Sequence, residues 1–166
     1  MLNELFIRIL DAWNISKPFF NNTFIVIFLL TIFMYATYTD TLYYKIYDKF
    51  NIFLIICRVI FSIVPYYRLP LSFDHIFAGI LGMVILIIPA VMYMQKMGGD
   101  IKFIYVLGLY LGTTLTIGVL IFTCFYVLLF SLIKKIITKQ KVKKLKMPMA
   151  PFFNLSFVTL LLLSYI

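Results

Sequence analysis

The sequence predicts an all-α, polytopic membrane helix bundle with about six transmembrane helices, and three observations lead there. Hydrophobic residues make up 64% and charged residues 13% of the 166 positions, with a mean hydropathy of +1.06, whereas soluble domains carry about 25% charge. Apolar runs long enough to cross a hydrocarbon core of about 30 Å, at about 1.5 Å per helical residue, recur along the chain. The basic residues, which give a formal charge of +9, gather in alternate loops between those runs. This composition excludes a soluble enzyme, a disulfide scaffold and a disordered tail. Cys57 and Cys124 lie inside apolar runs and His75 stands alone, which removes a zinc module and a multi-histidine metal site.

Taken in order, residues 5–20 mix Phe6, Ile7, Ile9, Leu10, Trp13 and Phe19 with Glu4 just before them and with Arg8, Asp11 and Lys17. This predicts an interfacial helix ending at Lys17-Pro18, with Trp13 at headgroup level. Acidic residues interrupt the stretch and no small-residue cleavage site follows, so a cleaved signal peptide is not expected. Residues 1–22 are then an N-terminal interfacial segment and 23–166 the transmembrane domain. The six spans fall at 23–39, 50–66, 75–94, 103–116, 117–133 and 151–166. The stretch 101–133 is nearly unbroken, but one helix of that length overshoots a bilayer. Gly108, Gly112 and Gly118 interrupt it, and a tight turn is expected near Thr113, Thr114 and Thr116.

Loop charge sets the orientation. The loops 40–49, 95–102 and 134–146 hold 11 of the 15 basic residues, and alternation puts all three on one side. That side is the cytoplasm by the positive-inside rule, with the N-terminus outside. Asp40, Asp48 and Asp100 fall at the cytoplasmic face, and Glu4, Asp11 and Asp74 at the other. The lysine run 134–146 fixes topology and anchors to anionic lipid, each lysine contributing about 1 kcal/mol near such a surface. No nucleic-acid partner is expected, since the aromatic residues belong to packing and the interface. Arg58, well inside the second span, calls for a partner or a water-filled crevice. Asp74 and His75 are placed to cap a helix start. Gly79 and Gly82 favour close helix packing.

Asp40 closes the first span, and Asp100 follows Gly98-Gly99 at the start of the fourth. Both stand at the edge of the apolar layer on one side, where an unpaired carboxylate is costly. Two carboxylates converging there can share a proton, one acting as general base on a water and the other protonating a peptide carbonyl. That is aspartyl-type amide hydrolysis. Gly98 and Gly99 would let a substrate backbone approach. On spacing alone, a glycine that ends one helix followed by an aspartate that caps the next is an equal alternative.

The wider strings are more specific. Asp40-Thr41-Leu42-Tyr43-Tyr44-Lys45-Ile46-Tyr47-Asp48, followed by Met97-Gly98-Gly99-Asp100-Ile101-Lys102-Phe103 and Leu107-Gly108-Leu109-Tyr110-Leu111-Gly112, resembles the type IV prepilin peptidase family. Met147-Pro148-Met149-Ala150-Pro151-Phe152 is similar to that family's proline-containing entry to its last helix. Tyr47 and Asp48 stand where the family usually has Pro and Asn, and Met97 where it has the first Gly of Gly-x-Gly-Asp. The four-cysteine module of the longer members is missing. The resemblance therefore implies a short, peptidase-only membrane aspartyl endopeptidase without methyl transfer. It implies cleavage of the basic leader from type IV pilin-like precursors after a Gly, at the cytoplasmic membrane face. Asp40 and Asp100 would be catalytic, and Gly98, Gly99, Lys102 and Asp48 would bind substrate or support the site, with no cofactor and no metal. An ion- or proton-coupled transporter using the same carboxylates is the alternative from another class, and a non-catalytic scaffold a third.

Overall fold

A computed structural model describes residues 22–64, 71–92, 98–138 and 147–164, and the expected interfacial helix at 5–20 lies outside them. All regular structure among the described residues is helical: α1 (Thr23–Tyr43), α2 (Asp48–Ile63), α3 (Phe73–Met92), α4 (Gly98–Thr138) and α5 (Ala150–Ser164). The Asn22 side chain accepts from the Ile25 N–H at 3.4 Å to start α1, as an N-cap asparagine does. The helix then passes the expected end at residue 39, so Asp40 lies inside its last turn. The polar residues there do not break it, because the Thr39 and Thr41 hydroxyls donate back to carbonyls one turn earlier. Tyr44, in the left-handed conformation, ends the helix by donating its N–H to the Asp40 carbonyl at 2.9 Å.

The long helix α4 is two limbs, 98–111 and 113–138, joined at Gly112 with φ 73° and ψ 175°. That conformation is open only to glycine. The chain folds back there. A Cβ on Gly82 of α3 would lie 3.2 Å from Ile104 and 3.3 Å from Thr116, although these two residues would stand about 18 Å apart along one straight helix. The turn thus sits one residue ahead of the threonines expected to form it, because the neighbouring helices supply the caps at that point. The Thr113 N–H donates to Asp74 Oδ2 at 3.0 Å and its hydroxyl to the Asp74 carbonyl at 3.3 Å. On the other side of the break, Arg58 Nε donates to the Leu109 carbonyl at 2.5 Å. Its guanidinium carbon lies 5.8 Å from the centre of the Tyr110 ring. Arg58 thus finds its partners in a helix end, and Asp74 caps a limb of α4 as well as opening α3.

Glycines also set the separation of α3 from the first limb. A Cβ added to Gly108 would enter the backbone of Ala78 and Gly79, and one on Gly79 would come within 2.7 Å of the Tyr105 carbonyl oxygen. The close packing expected at Gly79 and Gly82 is present, and Gly108 is its counterpart. The second limb runs antiparallel to α5, with Gly118 against Leu160, Thr123 bonded to Ser156 at 2.9 Å, and Phe130 facing Phe152.

The core lies where α1, the first limb and α5 meet. Phe33, Phe103, Phe153 and Phe157 are all buried there, and Phe33 stacks on Phe157 with ring centres 4.9 Å apart. The helix faces turned away from this core are apolar, including Ile27, Met34, Ile63, Val91, Ile121 and Leu128, an exterior suited to hydrocarbon. Two stretches, Thr23–Tyr43 and Gly98–Lys134, are long and apolar enough to cross a membrane. With α4 divided at Gly112, the described helices form six segments.

Candidate active site

The site is built at the end of the bundle where α1 finishes and α4 and α5 begin. Asp40 enters it from the last turn of α1 and is 4% exposed. Its Oδ2 accepts the Ala150 N–H at 2.8 Å, and the Met149 N–H also reaches the carboxylate. These are free N–H groups at the start of α5, where the helix dipole adds to their attraction for an anion. Pro151, in the first turn of α5, has no N–H to satisfy. The Met147–Phe152 segment, which the sequence marks as a helix entry, therefore holds one of the two candidate carboxylates.

Asp100 lies in the first turn of α4, largely shielded from solvent, and interacts electrostatically with Asp40. Among the described residues it has no hydrogen-bond partner. The fold thus brings the two aspartates together across sixty positions of sequence and treats them differently. Backbone donors fix the orientation of Asp40, while the Asp100 carboxyl remains open to a water or a substrate carbonyl. Below them the aromatic core closes the site, since Phe103 begins the next turn after Asp100 and packs edge-on against Phe33.

The supporting residues divide. Gly98 begins α4 with nothing among the described residues within 4 Å of where a Cβ would stand. Gly99 is pressed by its own chain, because a Cβ there would lie 2.9 Å from the Ile46 carbonyl oxygen. That contact brings the α1–α2 connection against the start of α4. Lys102 pairs with Asp48 at 2.9 Å, and this bond ties the first turn of α2 to the same place. Lys102 is thereby directed to Asp48, and Asp48, on the exposed rim, carries a cation of its own chain. Among the described residues no three His, Cys, Asp or Glu side chains cluster so as to hold a metal ion.

One residue of this region escapes the motif-based reading. Asn51 lies on the inward stripe of α2 formed by Asn51, Leu54, Arg58 and Phe61. It is 3% exposed, and neither its amide nitrogen nor its oxygen has a hydrogen-bond partner among the described residues. The signal was present in the sequence as a carboxamide at helical spacing among apolar residues and an arginine.

The sequence model of the type IV leader peptidase family matches residues 27–132. The match takes in Asp40, Asp48 and the whole Gly98–Lys102 segment, and stops before the α5 entry. Comparison with curated proteins and with solved structures gave no match.

Proposed function

The chain belongs to the type IV leader peptidase family, and from that premise and the site geometry we propose that it is a membrane-embedded aspartyl endopeptidase. In this reading it removes the basic leader from type IV pilin-like precursors, with Asp40 and Asp100 as the acid/base pair. The observation that carries it is the pairing of a buried carboxylate held by backbone N–H donors with a second that has no hydrogen-bond partner among the described residues.

The chemistry assigns a role to each. Asp40 Oδ2 already accepts an N–H, so that oxygen is an acceptor and the carboxylate is oriented to take a proton from an attacking water. Asp100 donates a proton to the carbonyl of the scissile bond as the water adds; when the gem-diol collapses and the C–N bond breaks, Asp40 passes the water's proton to the leaving amine and Asp100 takes a proton back from the diol hydroxyl. A peptide bond in a regular helix has its carbonyl engaged, so attack requires a locally extended segment. A Gly before the scissile bond favours that opening, and the uncrowded space beside Gly98 accommodates the approaching chain. Lys102, Asp48 and Gly99 support the site by fixing α2 and the α1–α2 connection against α4. The proposal covers peptide-bond cleavage without methyl transfer and uses no metal.

The six straight segments are read as six membrane crossings. With the lysine-rich loops in the cytoplasm, Asp40 and Asp100 face that side and the Gly112 turn faces outward. Asp40→Asn and Asp100→Asn, each co-expressed with a prepilin, test the reading. Each is expected to lower processing by about 10³-fold at unchanged levels of inserted protein, measured as the ratio of precursor to mature pilin. Full processing by Asp100→Asn would remove the two-carboxylate mechanism.

A further inference from the structure

We infer that the Asn51 carboxamide is a substrate-binding group that hydrogen-bonds the peptide backbone of the extended segment carrying the scissile bond. The inference rests on the peptidase reading above and adds a residue that neither its motifs nor its carboxylates include. Its basis is position and an unmade pair of hydrogen bonds.

Asn51 follows Phe50, whose ring lies 4.8 Å from that of Tyr35 and 6.4 Å from that of Phe103. Tyr35 precedes Asp40 by little more than one turn on α1, and Phe103 follows Asp100 by just under one turn on α4. Phe50 therefore marks a level about 5 Å, one helical turn, deeper than the two aspartates. Asn51 faces inward from the same turn of α2, on the stripe whose Leu54 carbonyl accepts from the Tyr110 hydroxyl at 2.7 Å. A backbone drawn out beside Asp40 and Asp100 passes within reach of this turn.

A buried carboxamide with neither donor nor acceptor bonded destabilises a fold, and an apolar side chain of similar volume would sit there without that cost. The other polar side chains on these contacts are answered: Arg58 by the Leu109 carbonyl, Tyr110 by Leu54, and Thr123 by Ser156. Thr116 is also unpaired among the described residues, but it belongs to the second limb and packs against Gly82, away from the aspartates. The chemistry Asn51 presents is one acceptor and two donors on a planar amide. That set matches a peptide group in an extended strand, whose N–H and C=O are both free once the helix has opened. Above Asn51 the rim is closed by the Asp48–Lys102 pair, whose side chains are 63% and 56% exposed. Such a pair is weak enough for an incoming chain to displace.

The experiment uses the full chain in lipid with a type IV prepilin, comparing wild type, Asn51→Leu, the smaller Asn51→Ala and Asp100→Asn. Asn51→Leu is expected to raise Tm by a few degrees, since it removes the unmade bonds. It is also expected to raise KM for the prepilin about tenfold, with a smaller change in kcat, as for a lost binding contact. Asn51→Ala should show the same rise in KM. A lowered Tm for Asn51→Leu together with an unchanged KM in Asn51→Ala would make Asn51 a structural residue satisfied from within, and would overturn the inference. Wild-type KM and kcat in both Asn51 variants would also overturn it, leaving the peptidase reading intact if Asp100→Asn abolishes cleavage. A wild-type chain that does not cleave the prepilin would overturn both.

Discussion

The first limb of α4 meets a glycine and an aspartate at each of its ends, and the two ends use them in opposite ways. At the Gly112 end side chains from other helices answer groups released by the break. Asp74 takes the Thr113 N–H and hydroxyl, and Arg58 takes the Leu109 carbonyl. At the Gly98–Gly99 end Asp100 has no hydrogen-bond partner among the described residues, while Asp40 beside it is held by the start of α5. The difference teaches that residue type and helix position do not decide which partners an aspartate finds. Asp74 and Asp100 both stand in the first turn of an apolar helix. What separates them is whether neighbouring backbone has already taken the carboxylate's hydrogen-bonding capacity.

The largest effect expected on this contrast comes from the turn. Gly112→Val adds a side chain in a conformation reserved for glycine, with its Cβ 2.6 Å from Asp74 Oδ2. It should destabilise the protein by about 3 kcal/mol or more, read as a lowered unfolding midpoint in detergent. A midpoint within error of wild type would show that the break is not fixed by Gly112. Asp74→Ala comes next. It removes the cap on Thr113 and should cost about 1 kcal/mol of stability, while prepilin cleavage per folded molecule stays at the wild-type rate. A slower rate per folded molecule would merge the two ends into one functional unit. The smallest effect is expected at the rim. Lys102→Ala breaks an exposed ion pair and should cost less than about 1 kcal/mol, a loss that fades as salt is raised. Unfolding at low and high ionic strength measures it, and a large salt-independent loss would place Lys102 deeper in the packing.

Much of this arrangement was legible in the sequence because it is carried by residue types with few uses. The apolar runs located the helices, the turn expected near Thr113, Thr114 and Thr116 fell just past the break at Gly112, and the Asp40 and Gly98–Gly99–Asp100 strings marked the region where the carboxylates meet. What stayed hidden involved the backbone as partner. Arg58 pairs with a carbonyl, and the Leu109 carbonyl is freed only by a break three residues on, so no side-chain pattern announces it. Asp40 is bound by N–H groups 109 and 110 positions away, and proline spacing marked that helix entry without showing which atoms it would offer. Lys102 could have served Asp100 two residues before it, but the packing of α2 on α4 brought Asp48 closer. Asn51 stayed hidden because a neutral amide belongs to no charge pattern.

The bond between Asp40 and Ala150 also fixes an order of events during synthesis. Asp40 leaves the ribosome early and Ala150 about 110 residues later, so at typical elongation rates of about 5–20 residues per second the interval is on the order of 5–20 s. Through that interval α1 to α4 can insert and pack, but the carboxylate at the end of α1 lacks the donors that orient it. The oriented Asp40 carboxylate therefore arrives only with α5. A nascent chain arrested before residue 147 carries both aspartates and the Gly98–Gly99 segment in an unassembled site.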